Sequence, residues 1–106
     1  EVASVGLTEE QCKEQNLDYK KVSIPMSYSG RYVAETNRER GLCKILVDPV
    51  HDRLIGCHLL GSYASELIIS AGIMIESEMT VNEIKELVFP HPTVAEVIRE
   101  AVFMLD

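Results

Sequence analysis

The run Phe89-Pro90-His91-Pro92-Thr93-Val94-Ala95-Glu96 constrains this chain more than any other stretch. Pro90 and Pro92 each fix their own φ and bias the preceding residue away from the helical region. His91 is therefore presented from a stiff, extended backbone and has no room to join a helix. The His91-Pro92 bond is a candidate cis peptide, the form in which X-Pro usually marks a tight turn. Thr93 reads as an N-cap, and Glu96, three residues on, completes a Thr-x-x-Glu capping box. The spacing predicts a helix with Val94, Val97, Ile98, Ala101 and Leu105 along one face. A titratable imidazole thus stands on a rigid turn, with a carboxylate one helical turn beyond it.

His91 and Glu96 have two readings. In the first, Glu96 only caps the helix and His91 is an ordinary loop histidine. In the second, Glu96 accepts a hydrogen bond from one ring nitrogen and fixes the tautomer, leaving the other nitrogen free as a general base near neutral pH. The nearby negative charge would also raise the imidazole pKa by favouring its protonated form. Capping and orienting pull carboxylate oxygens in different directions, so Glu96 is not expected to do both fully.

The rest of the chain reads as strands first and helices later. A strand is expected from Val2 to about Gly6, then a helix capped by Thr8 with Gln11 in the box position, running to about Asn16. A second strand follows from about Tyr19 to Ile24, and Pro25 ends it or sets it at an edge, since proline cannot donate to a ladder. Residues 27–36 are the least legible: loop or a helical turn to Arg31, then a return strand from Tyr32 to Thr36. Leu42 to Asp48 and Leu54 to Leu60 predict a hairpin turning at Pro49-Val50-His51-Asp52-Arg53. A helix is expected from Ser62 to about Ser77. Its Leu67, Ile68, Ile69, Ala71, Ile73, Met74 and Ile75 cover more than one face, which implies burial on a second side, by the core or by a partner subunit. Thr80 with Glu83 caps another short helix, ending near Val88, before Phe89-Pro90 breaks into the His91 turn. The sum is an α+β sandwich, an antiparallel sheet of about four to five strands packed with helices.

Composition narrows the function classes. Ten Lys and Arg against 17 Asp and Glu argue against a nucleic-acid binder, which would need a basic face for phosphate. Cys12, Cys43 and Cys57 are irregularly spaced, giving neither a disulfide framework nor a zinc pattern. They are read as reduced thiols of a cytoplasmic protein. His51 reads as a solvated turn residue and His58 as a packed strand residue, so no metal is assigned. The Ser62–Ser77 segment is too short and too interrupted for a membrane span. The start at Glu1, without an initiating Met or a leader, is the expected look of a piece of a longer protein.

The motif His91-Pro92-Thr93-x-x-Glu96, with Arg99-Glu100-Ala101 behind it, resembles the C-terminal interface domain of the flavin-dependent pyridine nucleotide-disulfide oxidoreductases. Glu1 to Glu9 resembles that family's first interface strand and helix. Gly41-Leu42-Cys43-Lys44-Ile45-Leu46 and Ile55-Gly56-Cys57-His58-Leu59-Leu60-Gly61 resemble two of its later strands. The matches run in order over essentially the whole chain, so residues 1–106 are expected to be one dimerisation domain. Val97 and Arg99-Glu100-Ala101 favour the dihydrolipoamide dehydrogenase branch, whereas Phe89, where that branch often carries another His, departs from it.

That resemblance implies a homodimer with FAD, NAD and a redox-active disulfide, all held by upstream FAD- and NAD(P)-binding domains, and possible membership of a 2-oxo acid dehydrogenase complex. His91 would be the catalytic base, Glu96 its orienting carboxylate, and the backbone at His91 and Pro92 would lie near the partner's FAD. The chain itself has no Gly-x-Gly-x-x-Gly fingerprint and no close cysteine pair, so alone it is expected to bind neither cofactor and to be inactive. Glutathione-, mercuric- or coenzyme-A-disulfide-reductase-like parents are the alternatives. So are a purely structural dimerisation module and an unrelated small ligand-binding domain.

Overall fold

The computed structural model describes residues 1–105. Four strands, β1 (Val2–Gly6), β2 (Lys20–Pro25), β3 (Leu42–Asp48) and β4 (Arg53–Leu60), form one antiparallel sheet in the order β1-β4-β3-β2. The β3–β4 hairpin is the centre, with Leu42 opposite Leu60 and Ile45 opposite Cys57. Both later-paired strands lie at the edges, so Pro25 ends an edge strand, where its missing N–H disturbs no interior ladder. Strand β3 is buried on both faces, Cys43, Ile45 and Val47 entering the main core and Leu46 the other side, with a register shift against β4 between Leu46 and Val47. The sheet and helices confirm the α+β expectation.

Helix α1 (Glu9–Glu14) crosses between β1 and β2, and its Thr8–Gln11 capping box is fully formed. It lies on the opposite side of the sheet from the main core. There Glu9 binds Lys44 of β3, and Cys12 and Leu46 are buried apart from the principal cluster. The main core fills the other face, beneath α3 (Ala64–Glu76), α4 (Val81–Lys85) and α5 (Glu96–Phe103). Helix α3 packs on β1 and β4, and α5 on β2 and β3. The apolar face expected for α5 is buried as spaced, with Val102 added to it.

Tyr32 to Thr36 does not form a strand. After a single 3₁₀ turn (Met26–Tyr28), the chain makes helix α2 (Gly30–Thr36), which leaves four strands and no fifth among the described residues. Three local features outweigh the β-forming Tyr32 and Val33. The Ser29 side chain caps the helix by accepting the Tyr32 N–H, Arg31 pairs with Glu35 at helical spacing, and Asn37 stops it in the left-handed conformation at φ 53°. Tyr32 is completely buried, and its hydroxyl donates to Glu39, which in turn accepts the Ser62 N–H. Two glycines make room for that ring. A Cβ at Gly61, where φ is 134°, would lie 2.4 Å from the Tyr32 hydroxyl, and one at Gly41 would lie 2.7 Å from it.

Candidate functional site

The turn before α5 was expected to carry a complete capping box, and the structure forms half of one. Glu96 Oε2 accepts the Thr93 N–H at 2.9 Å, as the box requires. The Thr93 hydroxyl, however, donates to the Pro90 carbonyl at 2.7 Å and caps nothing. Residues 94 and 95 instead make a tight turn, with Val97 and Ile98 donating to Val94 and Ala95, so α5 starts at Glu96 with Ala95 as its uncapped first flank. The physical reason is competition: Pro90 holds its carbonyl within reach of a hydroxyl that would otherwise face the helix. The His91–Pro92 peptide is cis.

His91 and Glu96 are brought together. The imidazole Nδ1 lies 2.8 Å from Oε1 and 2.9 Å from Oε2 of the carboxylate. An ionised carboxylate can only accept, so Nδ1 carries the proton and donates it, and Nε2 of the neutral ring holds an open lone pair. Nε2 has no hydrogen-bond partner among the described residues, and the His91 side chain is 80% exposed against 15% for Glu96. The backbone N–H of Thr93, aided by His91, holds the Glu96 carboxyl below its usual pKa. It therefore stays ionised across the range in which an imidazole titrates. The expectation that capping and orienting compete is corrected here: Oε2 serves Thr93 and His91 at once, because the turn brings both donors to the same side of the carboxylate.

The turn is also fastened from outside. Ser29 Oγ donates to the Thr93 carbonyl at 2.8 Å, and Arg31 Nη1 donates to the Pro92 carbonyl at 3.3 Å. Beside it is a shallow cavity of about 260 Å³ lined by Arg31, Glu35, Tyr63, Pro92, Thr93 and Val94. Neither Ser29 nor Arg31 was singled out from the sequence. The Ser-Gly-Arg run before an Asn stop was the signal of a capped helix, but nothing local pointed to contacts more than sixty residues away.

The other histidines do different work. His58 Nε2 donates to the Leu7 carbonyl at 2.9 Å and its Nδ1 faces the Ser4 hydroxyl at 3.0 Å, so both nitrogens are used in joining β1 to β4. His51 is largely exposed in the hairpin turn, 3.1 Å from Asp48. No group of three or more His, Cys, Asp or Glu suited to a metal occurs among the described residues. All three cysteines are free and buried. No helix of the described residues is long and apolar enough to cross a membrane.

Comparison with known proteins gives a consistent picture. The family profile of the pyridine nucleotide-disulphide oxidoreductase dimerisation domain matches residues 1–102. The mitochondrial dihydrolipoyl dehydrogenase of Schizosaccharomyces pombe is 38% identical over 103 residues, which cover 96% of this chain and 20% of that protein. The mitochondrial dihydrolipoyl dehydrogenase of Pisum sativum is 39% identical over 101 residues, 95% of this chain and 20% of that one. Among solved structures, the HOCl-induced flavoprotein disulfide reductase RclA from Escherichia coli superposes with a TM-score of 0.89 at 26% identity, covering 99% of this chain and 24% of that one. The chain spans about a fifth of the length of these curated relatives.

Proposed function

The chain belongs to the pyridine nucleotide-disulphide oxidoreductase dimerisation-domain family, and on that premise we propose that His91 is the base of a dihydrolipoyl dehydrogenase. In this reading residues 1–106 form the C-terminal domain of a longer homodimeric flavoenzyme, and His91 and Glu96 complete the active site of the partner subunit. The observation that carries the reading is the His91 ring itself. It is oriented by both oxygens of one carboxylate, yet the side chain is largely open to solvent and its other nitrogen is free. A base so placed serves a cleft formed by something other than its own domain.

The chemistry follows from that geometry. Nε2 takes the proton from one thiol of dihydrolipoamide, and the resulting thiolate attacks the enzyme disulfide upstream, forming a mixed disulfide and releasing the other enzyme sulfur. Glu96 keeps Nδ1–H as the donor, so the ring has the correct tautomer before and after it gains the proton. FAD and NAD, held by the upstream domains, supply the electron transfer. This chain offers them no glycine-rich cradle, so its contribution to the flavin is limited to the exposed edge at His91 and Pro92.

Support for the dimer comes from α3. Ala64, Leu67, Ala71 and Met74 face the core, whereas Ile69 and Ile73, one turn apart, are 64% and 58% exposed. That outward apolar pair suits a second copy of the domain. The three free thiols suit a reducing compartment, with cytoplasm the reading kept here, although several relatives are named as mitochondrial. Association with a 2-oxo acid dehydrogenase complex belongs to the same proposal.

The test is NAD reduction by dihydrolipoamide in the full-length protein, with and without His91→Gln. A general base contributes roughly 10²–10⁴-fold, so the variant should be slower by at least ~10² while remaining dimeric. An equally fast variant would overturn the base assignment, and a wild type inactive on dihydrolipoamide but active on another disulfide would move the parent to a different branch.

A further inference from the structure

The geometry points to Ser29 as a positioning residue for His91, a role that rests on the proposed function of that histidine. Thr93 is the hinge of the argument. Its N–H is held by Glu96 Oε2 and its carbonyl by Ser29 Oγ, and the same Glu96 oxygen holds the His91 ring. Any movement of the Thr93 peptide is therefore passed directly to the His91–Glu96 contact.

Ser29 is suited to fix that peptide. It is 2% exposed, and its hydroxyl both donates to Thr93 and accepts the Tyr32 N–H at 3.2 Å. A carbonyl can only accept and an N–H can only donate, so the hydroxyl proton has one available direction. The anchor behind it is firm. Ser29 opens helix α2, and the buried Tyr32 ring of that helix is seated against Gly41 and Gly61 and tied through Glu39 to Ser62. The Arg31 contact to Pro92 is longer and is made by a half-exposed side chain, so it is the weaker of the two tethers. Removing the Ser29 hydroxyl would leave a half-buried Thr93 carbonyl and a buried Tyr32 N–H seeking partners, and the Thr93 peptide would move to find water.

The experiment uses the full-length holoenzyme and reads His91 in two ways. Its tautomer is followed by NMR with ¹⁵N-labelled histidine, the ring resonances being assigned by their loss in His91→Gln, and kcat and KM are recorded alongside. Ser29→Ala should turn the single Nδ1–H tautomer into a mixture, because a displaced carboxylate no longer selects that proton. It should also lower kcat by about tenfold or more through misorientation, with the KM for NAD unchanged. Ser29→Cys, of similar size but a weaker donor, should fall between wild type and the alanine form, and it carries the test if the alanine form does not fold. Leu54→Ala, a buried substitution away from the turn, controls for lost stability and should leave the tautomer in place. The inference is overturned if both Ser29 variants keep the wild-type tautomer and kcat, or if Leu54→Ala changes them equally. A mixed tautomer together with a fully active His91→Gln would uphold the positioning role and overturn the base assignment instead.

Discussion

Replacing Glu96 with glutamine tests the site more sharply than deleting it, because the change keeps shape and alters only donor and acceptor roles. Two donors converge on this carboxylate: Thr93 N–H on Oε2 at 2.9 Å, and Nδ1–H on both oxygens at 2.8 and 2.9 Å. Glutamine has one oxygen and one NH₂. Whichever way the amide is turned, its NH₂ faces the ring nitrogen at hydrogen-bond distance, donor against donor. The ring relieves this by carrying its proton on Nε2, so that Nδ1 accepts from the amide. In that tautomer Nε2 cannot take a proton from substrate. A hydrogen bond to a charged group contributes roughly 1.5–3 kcal/mol, discounted here because the ring is largely exposed. A loss of about 10² in kcat is expected, at the lower end of a full general-base contribution. The tautomer is read from the ring ¹⁵N shifts of labelled histidine, and kcat from dihydrolipoamide oxidation, on wild-type and Glu96→Gln full-length enzyme. A kcat within twofold of wild type, with Nδ1 still protonated, would refute the orienting role of the carboxylate.

Three further outcomes follow from the fold. Glu9, hydrogen-bonded by Lys44 and Tyr19 and flanked by Lys21, has its pKa lowered to about 2; its folded pKa is below the unfolded value, so the stability it contributes is present above about pH 4.5 and is lost as pH falls toward 2. Glu9→Gln should flatten the acid side of the stability profile measured by urea unfolding, and an unchanged slope between those pH values would refute the pairing. Gly61→Ala should lower the melting temperature by several degrees, since a Cβ would meet the Tyr32 hydroxyl at 2.4 Å on a backbone of φ 134°, whereas Gly30→Ala, with open space around it, should be neutral or slightly stabilising. In a thiol-reagent assay Cys12, Cys43 and Cys57 should stay unreactive in the folded protein and all react in denaturant; they are buried, the Cys57 contact and burial push the Cys43 thiol up, and burial pushes Cys12 up, so little thiolate is present. Rapid native labelling would show that the sheet opens far more readily than its packing implies.

What was legible in the sequence was whatever depends on near neighbours. The hairpin of β3 and β4 followed from two β-branched runs around a turn, and the capping boxes at Thr8–Gln11 and Thr80–Glu83 formed as their spacing required. The third box, Thr93–Glu96, formed only on the glutamate side because a proline-fixed carbonyl drew the threonine hydroxyl away. Helix α2 was misread because Tyr32 and Val33 favour strands, although Ser29 and Asn37 mark a helix start and stop around them. Burial of the Tyr32 ring between two glycines settles the matter, and that contact joins residues far apart in sequence. The pairing of His91 with Glu96 was legible as one of two readings. The Ser29–Thr93 bond was not, for it depends on where α2 comes to rest.

On the function proposed for His91, the arrangement answers a physical problem posed by a base that works outside its own domain. Burial is the usual means of holding a side chain in one rotamer, but a buried imidazole could not enter a cleft on another subunit. Exposure alone would leave the ring free to rotate and to exchange tautomers. Here the ring is held by hydrogen bonds on one nitrogen only, and the carboxylate that holds it is itself fixed by a backbone N–H and shielded from water. The backbone beneath is stiffened by two prolines and by a serine hydroxyl reaching over from another helix. Order therefore comes from the peptide side of the ring and access from the other. On this argument the sensitive positions are those behind the histidine, and a substitution at Ser29 or Glu96 should be felt at the base more strongly than one at an exposed neighbour such as Val88, which touches none of these bonds.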